Sequence, residues 1–210
     1  MSGATTALCL DLDGTLVHLT RPYSELVLDT FAEHGLPRDP ELEAFADERF
    51  AEAFAAMDPD AHETAFAAVV ERAGADADPA AMAETLREIE YEAGTVPGAA
   101  RDSLETLAAD NALAVVTNGT RDWQLGKLDH HGLTDLFDAV VASYEAGAHK
   151  PDAAVFDLVR ERVPADEYVM VGDDYEADVE GARAAGFVPI HYERGDGDGP
   201  GLWSTVDALL

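Results

Sequence analysis

Asp11 and Asp13 stand two residues apart in Leu10-Asp11-Leu12-Asp13-Gly14-Thr15-Leu16, directly after the apolar run Ala7-Leu8-Cys9-Leu10. In extended backbone, residues i and i+2 point to the same side. Both carboxylates can therefore face one site, where a buried strand ends and a glycine turn begins. Two acids so close repel each other unless a cation neutralises them or one keeps its proton. The pattern points to a hard cation such as Mg²⁺, with one carboxylate free to act as a nucleophile. The carboxyl end of a strand is also where open α/β sheets bind their ligands.

Such a site needs elements to hold it. Residues 6–10 read as a buried strand. From Tyr23 to Ala93 the pattern becomes helix after helix, with breaks at Gly35-Leu36-Pro37, Asp58-Pro59 and Gly74 to Pro79. These divide the segment into roughly four amphipathic helices. Phe45, Phe50 and Phe54, followed by Phe66, Val69 and Val70, are spaced as the core of a small bundle rather than as a cofactor box.

After Thr95-Val96-Pro97-Gly98, strands and helices alternate. Strands are expected at 113–116, 139–142, 168–171 and 188–190, with helices at 99–109, 122–131, 153–161 and 177–185 and a final one at 204–210. Short apolar strands separated by helices imply a parallel sheet covered on both faces. The predicted class is α/β: a Rossmann-like doubly wound parallel sheet core with an inserted α-helical cap domain. Residues 1–17 and 96–210 form the core and 18–95 the cap, with hinges near Leu16–Arg21 and Thr95–Gly98. Gly195 to Gly201 reads as a loop.

Three more polar segments fall at ends of these elements: Thr117-Asn118-Gly119-Thr120, Lys150-Pro151-Asp152, and Gly172-Asp173-Asp174 with Asp178 further on. With the first aspartate pair, and in this order, they resemble the haloacid dehalogenase superfamily of phosphoryl-transfer enzymes across essentially the whole chain. The segment Gln124-x-x-Lys127-Leu128-x-x-x-Gly132-Leu133 looks like the subgroup with a helical cap after the first motif, which includes phosphoglycolate phosphatases and nucleotidases.

The resemblance implies Asp11 as nucleophile and Asp13 as the acid that protonates the leaving oxygen and then deprotonates water. The Thr117 hydroxyl and the Asn118 backbone N–H would bind a phosphoryl oxygen, with Gly119 giving room for the approach. Lys150 would set a fixed positive charge beside Asp11 and the phosphoryl group. Asp173, the Asp11 carboxylate and the Asp13 backbone carbonyl would hold Mg²⁺. Asp178 would orient metal-bound water or Lys150, and Asp174 would be a water-mediated ligand or a solvated acid. His149 is expected to be structural or solvent-facing, and Lys127 to make a structural ion pair. His18, Arg21, Tyr23 and Arg121 are candidates to reach the leaving group.

The expected activity is a Mg²⁺-dependent phosphatase acting on a small phosphorylated metabolite. Dehalogenation on the same fold needs neither Asp13 nor Asp173. A phosphomutase would keep both acids, and a silent phosphate-binding module would be expected to lose the nucleophile, the acid or the lysine.

Composition narrows the classes further. The 210 residues carry 43 acidic against 13 basic side chains, a net charge of −30, and Lys127 and Lys150 are the only two lysines. A basic surface for nucleic acid hardly exists. Acids spread over an ordinary α/β pattern fit a surface adapted to high salt, which screens self-repulsion. Cys9 is the single cysteine, so a disulfide framework is excluded and a buried structural thiol is expected. With no secretory or membrane-spanning run, the expectation is a cytoplasmic protein, monomeric or homodimeric, without membrane partners.

Overall fold

Five short runs form one parallel sheet, whose three central strands are apolar and largely buried and are joined by helical crossovers. The computed structural model describes residues 5–98 and 100–192. The strands are β1 (Thr6–Leu10), β4 (Ala112–Thr117), β5 (Ala139–Ala142), β6 (Glu167–Gly172) and β7 (Val188–His191), in the order β5-β4-β1-β6-β7. The pairs run parallel throughout. From central β1 the chain winds out to β5 on one side and returns to β6 on the other. This reversal creates the crevice at the carboxyl ends of the strands where such sheets bind ligands.

Alternation along the strands builds two cores. Leu8 and Leu10, Leu113 and Val115, and Val169 and Val171 pack with Leu104 and Leu107 of α5 (Ala100–Leu107) and Leu128 of α6 (Arg121–His130). On the opposite face, Ala7 and Cys9, Ala114 and Val116, and Met170 meet Val155, Phe156 and Val159 of α8 (Ala153–Arg162) and Ala182 of α9 (Gly181–Ala184). Leu10 is fully buried, and truncating such a leucine to alanine costs about 2–5 kcal/mol. Burial pushes the Cys9 thiol up to about 12, the inert structural cysteine that the composition implied.

The chain divides into two compact units. One comprises the described residues up to His18 and from Val96 onward, and the other is Leu19–Thr95. The second unit is helical: α1 (Tyr23–Glu33), α2 (Pro40–Ala55), α3 (Ala61–Ala73) and α4 (Pro79–Ala93), broken where the sequence predicted. Asp39 and Asp78 cap α2 and α4, accepting from Glu41 N and Ala80 N, each followed by proline at the first helical position. A two-stranded ribbon, β2 (His18–Leu19) with β3 (Gly94–Thr95), marks the two ends of the insert.

The inward face of α2 differs from the expected one. Leu42, Ala46 and Ala53 are buried, whereas Phe45, Phe50 and Phe54 are only half-buried. The guanidinium groups of Arg49 and Arg72 lie over the Phe45 ring, and His62 stacks on Phe50 at 4.3 Å. Leu42 and two alanines are thus the buried residues of α2, and Phe45 lies half-buried under two guanidinium groups. Phe66 and Val69 are buried as expected, while Val70 is half-buried.

Two short elements escape the periodicity: α7 (Ser143–Ala146) and a 3₁₀ turn at Thr134–Leu136. The helix expected at 177–185 begins at Tyr175, and Tyr175–Glu180 is π-wound before α9 continues it. The expected helix at 204–210 and the loop at 195–201 lie outside the described residues. Among the described residues no helix is long and apolar enough to cross a membrane.

Candidate active site

Strand register brings the polar segments together. Leu10 of β1 is level with Val115 of β4 and Val171 of β6. The chain therefore delivers Asp11, Thr117 and Asp173 to the carboxyl ends of three neighbouring strands. The Asp11 amide still bonds to the Val171 carbonyl at 2.8 Å, so its position is set by the ladder rather than by a loop.

Lys150 lies at the centre. Its side chain is 2% exposed, and Nζ donates to Asp11 Oδ1 at 2.8 Å, Asp178 Oδ1 at 2.6 Å and the Val116 carbonyl at 2.8 Å. All three ammonium donors are used. Burial works against the charged amine, but Asp11 and Asp178 outweigh it and hold its pKa above the ordinary lysine value. Burial likewise pushes Asp11 up to about 7, with Lys150 opposing and Asp178 adding to the rise. Asp178 is raised chiefly by burial too, against the pull of Lys150. One cation thus stands between two buried carboxylates.

Asp173 completes an acidic cluster. Ligand oxygens of Asp11, Asp173 and Asp178 all lie within 4.8 Å of one another. Thr15 Oγ1 donates to Asp173 Oδ1 at 3.0 Å. Two glycines make the cluster sterically feasible. A Cβ on Gly14, whose φ is +85°, would sit 2.2 Å from Asp173 Oδ2, and one on Gly172 would sit 2.1 Å from Asp178 Oδ2. Three converging carboxylates against one buried lysine leave excess negative charge, and hard oxygen donors fit a hard divalent cation such as Mg²⁺.

Asp13 turns to a different partner. Its carboxylate, about half exposed, accepts both-handed from Lys127 Nζ at 2.7 and 2.9 Å, and Lys127 is itself 5% exposed. Gln124 Nε2 reaches Asp13 Oδ2 at 2.9 Å, Thr117 Oγ1 at 2.7 Å and the Asn118 carbonyl at 2.9 Å. The Thr117 hydroxyl accepts from Gln124, which leaves its own proton to donate.

Residues 5–186 match the family of haloacid dehalogenase-like hydrolases. The chain belongs to that family. The ribulose-1,5-bisphosphate 5-phosphatase of Halopiger xanaduensis is 42% identical over 97 residues, 45% of this chain and 41% of that protein. The pyrimidine 5'-nucleotidase YjjG of Escherichia coli is 33% identical over 122 residues, 54% of this chain and 53% of that protein. These matches span about half the length, or less, of the curated relatives. Among solved structures, the magnesium-bound HAD-hydrolase YfnB of Bacillus subtilis superposes with a TM-score of 0.71 at 26% identity, covering 90% of this chain and 89% of that one.

In this hydrolase, Asp11, Asp173, Asp178, Lys150, Thr117 and Asp13 gather at one edge of the sheet. Asn118 and Gly119 lie there too, with engaged groups. The Asn118 side chain latches the Lys150 backbone, its Oδ1 accepting from Lys150 N at 2.8 Å and its Nδ2 donating to Lys150 O at 3.2 Å. The Gly119 amide donates to Ser143 Oγ at 3.0 Å, and Ser143 in turn meets His149 Nδ1 at 2.8 Å. The His149 ring also lies 5.3 Å from that of Tyr144. Asp174 caps the π-wound segment, accepting from Ala177 N at 2.9 Å, while its amide donates to Asp178 Oδ2.

The candidates for reaching the leaving group each have neighbours of their own. Arg121 donates to the Val140 carbonyl and Glu145, Arg21 pairs with Asp29, and the Tyr23 hydroxyl meets His62 Nε2 at 3.0 Å. His18 is buried, with its ring 5.8 Å from that of Tyr192. Sequence reasoning gave Gln124 and Thr15 no role and gave Lys127 no named partner. The available signal was compositional: a chain with two lysines places both in this site.

Proposed function

We propose that this hydrolase is a Mg²⁺-dependent phosphatase that acts on a small phosphorylated metabolite through a phosphoaspartyl intermediate on Asp11. One observation carries the reading: each carboxylate of the Asp11–Asp13 pair has its own buried lysine, Lys150 for Asp11 and Lys127 for Asp13. Such separate environments suit two carboxylates with separate tasks.

In the first step an Asp11 oxygen bonds to phosphorus, the bond from phosphorus to the ester oxygen breaks, and Asp13 gives that oxygen a proton. In the second, water attacks the phosphorus of the acyl phosphate and Asp13 takes a proton from it. The bond between phosphorus and Asp11 then breaks, releasing phosphate and restoring both aspartates. The Thr117 hydroxyl, the Asn118 backbone N–H and Lys150 receive the charge on the phosphoryl oxygens, with Gly119 admitting them. Asp11, Asp173 and the Asp13 backbone carbonyl are the residues assigned to hold Mg²⁺, beside Asp178. The cation supplies positive charge against the phosphoryl oxygens.

The substrate class draws support from the relatives, whose names specify a sugar bisphosphate phosphatase and a nucleotidase. The helical unit is assigned the role of a substrate-selecting cap. Asp13 and Asp173 favour phosphoryl transfer over dehalogenation, which needs neither.

The test is phosphate release from a panel of phosphoglycolate, nucleoside monophosphates and sugar phosphates, at high KCl, with Mg²⁺ or with EDTA. Release concentrated on one substrate class and lost in EDTA is expected. Equal release in EDTA would contradict the metal assignment, and no release from any member would contradict the phosphatase reading.

A further inference from the structure

The steps above give Gln124 no task and Lys127 none beyond pairing with Asp13, yet they are among the most buried polar groups of the described residues, at 2% and 4% exposure. They lie three residues apart on α6, so their side chains project from one helix face. Both end on Asp13.

Asp13 needs such support. It follows β1 on the glycine turn, its carboxylate is about half exposed, and its charge bears on Asp11 of the acidic cluster. A carboxylate left free there would be repelled by the cluster and would sample several rotamers. Lys127 contacts both of its oxygens, which fixes the carboxylate plane as well as its direction.

The Gln124 amide adds a second constraint. Its Nε2 has two hydrogens shared among three acceptors: Asp13 Oδ2, Thr117 Oγ1 and the Asn118 carbonyl. Turning the amide over would set Oε1 against a carboxylate and a carbonyl, so the orientation is fixed by its neighbours. The consequence is a buried Oε1 with no hydrogen-bond partner, an arrangement that costs stability. A side chain held in that state is there for the contacts made by its nitrogen. Gly119 leaves the space for it, since a Cβ there would stand 3.2 Å from the Gln124 side chain.

We infer that Gln124 and Lys127 are positioning residues that clamp Asp13 and tie it, through one amide, to the Thr117–Asn118 loop. The group that handles the leaving-group proton and the loop that receives the phosphoryl oxygens are then held in one fixed relation. This rests on the assignment of Asp13 as acid and base. Misplacing such a group by about 1 Å can cost about 100-fold in rate.

The experiment compares p-nitrophenyl phosphate with phenyl phosphate, similar in shape but differing in how far the departing oxygen needs a proton. Stopped-flow release of the phenol on forming the phosphoenzyme is recorded for wild type, Asp13→Asn, Lys127→Met and Gln124→Met. Methionine matches the volume of both side chains and leaves no new buried charge, and thermal unfolding confirms that each variant folds. The expected result is that the phenyl to p-nitrophenyl rate ratio falls about tenfold or more in Asp13→Asn and in both α6 variants, because the poorer leaving group depends more on the proton. If Asp13→Asn lowers the ratio but Lys127→Met and Gln124→Met do not, the clamp is overturned. A merely structural role would slow both substrates equally, leaving the ratio unchanged. If Asp13→Asn itself leaves the ratio unchanged, the acid assignment fails, and the clamp with it.

Discussion

At the scale of single residues, the site is an economy of charge. Two lysines and four aspartates share one edge of the sheet, and each lysine is committed to a different member of the Asp11–Asp13 pair. Asp11 illustrates the consequence for pH. Burial raises its pKa to about 7, well above the unfolded value of about 3.9. Between those values the folded state holds more protons than the unfolded one. In this window stability therefore declines as pH rises. Asn in its place titrates in neither state. In EDTA, the unfolding midpoint of Asp11→Asn relative to wild type should climb as pH goes from about 4 to about 7. A difference that stays flat or narrows over that range would show that Asp11 ionises freely in the fold.

At the scale of elements, strands do the positioning and glycines make the room. Asp11, Thr117 and Asp173 meet because β1, β4 and β6 are adjacent and in register, while Asp178 comes from the π-wound turn that follows β6. Gly172 is the contact between those last two elements. Replacing it with alanine drives a methyl group into the Asp178 carboxylate, so Gly172→Ala should weaken Mg²⁺ binding by about 10-fold or more by calorimetry. Unchanged affinity would place Asp178 outside the cation's surroundings.

Much of this architecture was legible in the sequence. The strand ends carrying Asp11, Thr117 and Asp173 were readable because short apolar runs stop abruptly at polar residues. The helix breaks were readable because proline and glycine mark them. Other features were not legible for physical reasons. Four residues of α7 are too few to display a period, and the π-winding at Tyr175 leaves no local signature. On α2, the buried positions are Leu42, Ala46 and Ala53 while the larger phenylalanines stay half-buried, so side-chain size alone did not rank burial along the helix. The Gln124–Asp13 contact joins residues 111 positions apart, and only the fold brings them together.

At the scale of the whole molecule, charge dominates. A net charge of −30 over 210 residues opposes compaction in each unit wherever it is unscreened. Local ion pairs relieve part of it, as where Arg38 bridges Asp29 and Glu25 and where Arg162 holds Glu145, but 13 cations cannot offset 43 acids. Salt screens the repulsion that is left, and the screening length shortens from about 10 Å at 0.1 M salt to about 3 Å at 1 M. The thermal unfolding midpoint should therefore rise from 0.1 M to 1 M KCl, by about the same amount in Asp11→Asn as in wild type. A midpoint that is level or falls with KCl would mean that the acidic surface does not govern stability.

The central claim is that Asp11 carries the phosphoryl group. The most direct measurement is acid quenching during turnover of p-nitrophenyl phosphate with Mg²⁺, followed by peptide mass spectrometry. The account predicts a phosphate adduct on the peptide containing Asp11, formed before phosphate release and absent from Asp11→Asn. Turnover without an adduct on Asp11, or an Asp11→Asn variant as active as wild type, would contradict it.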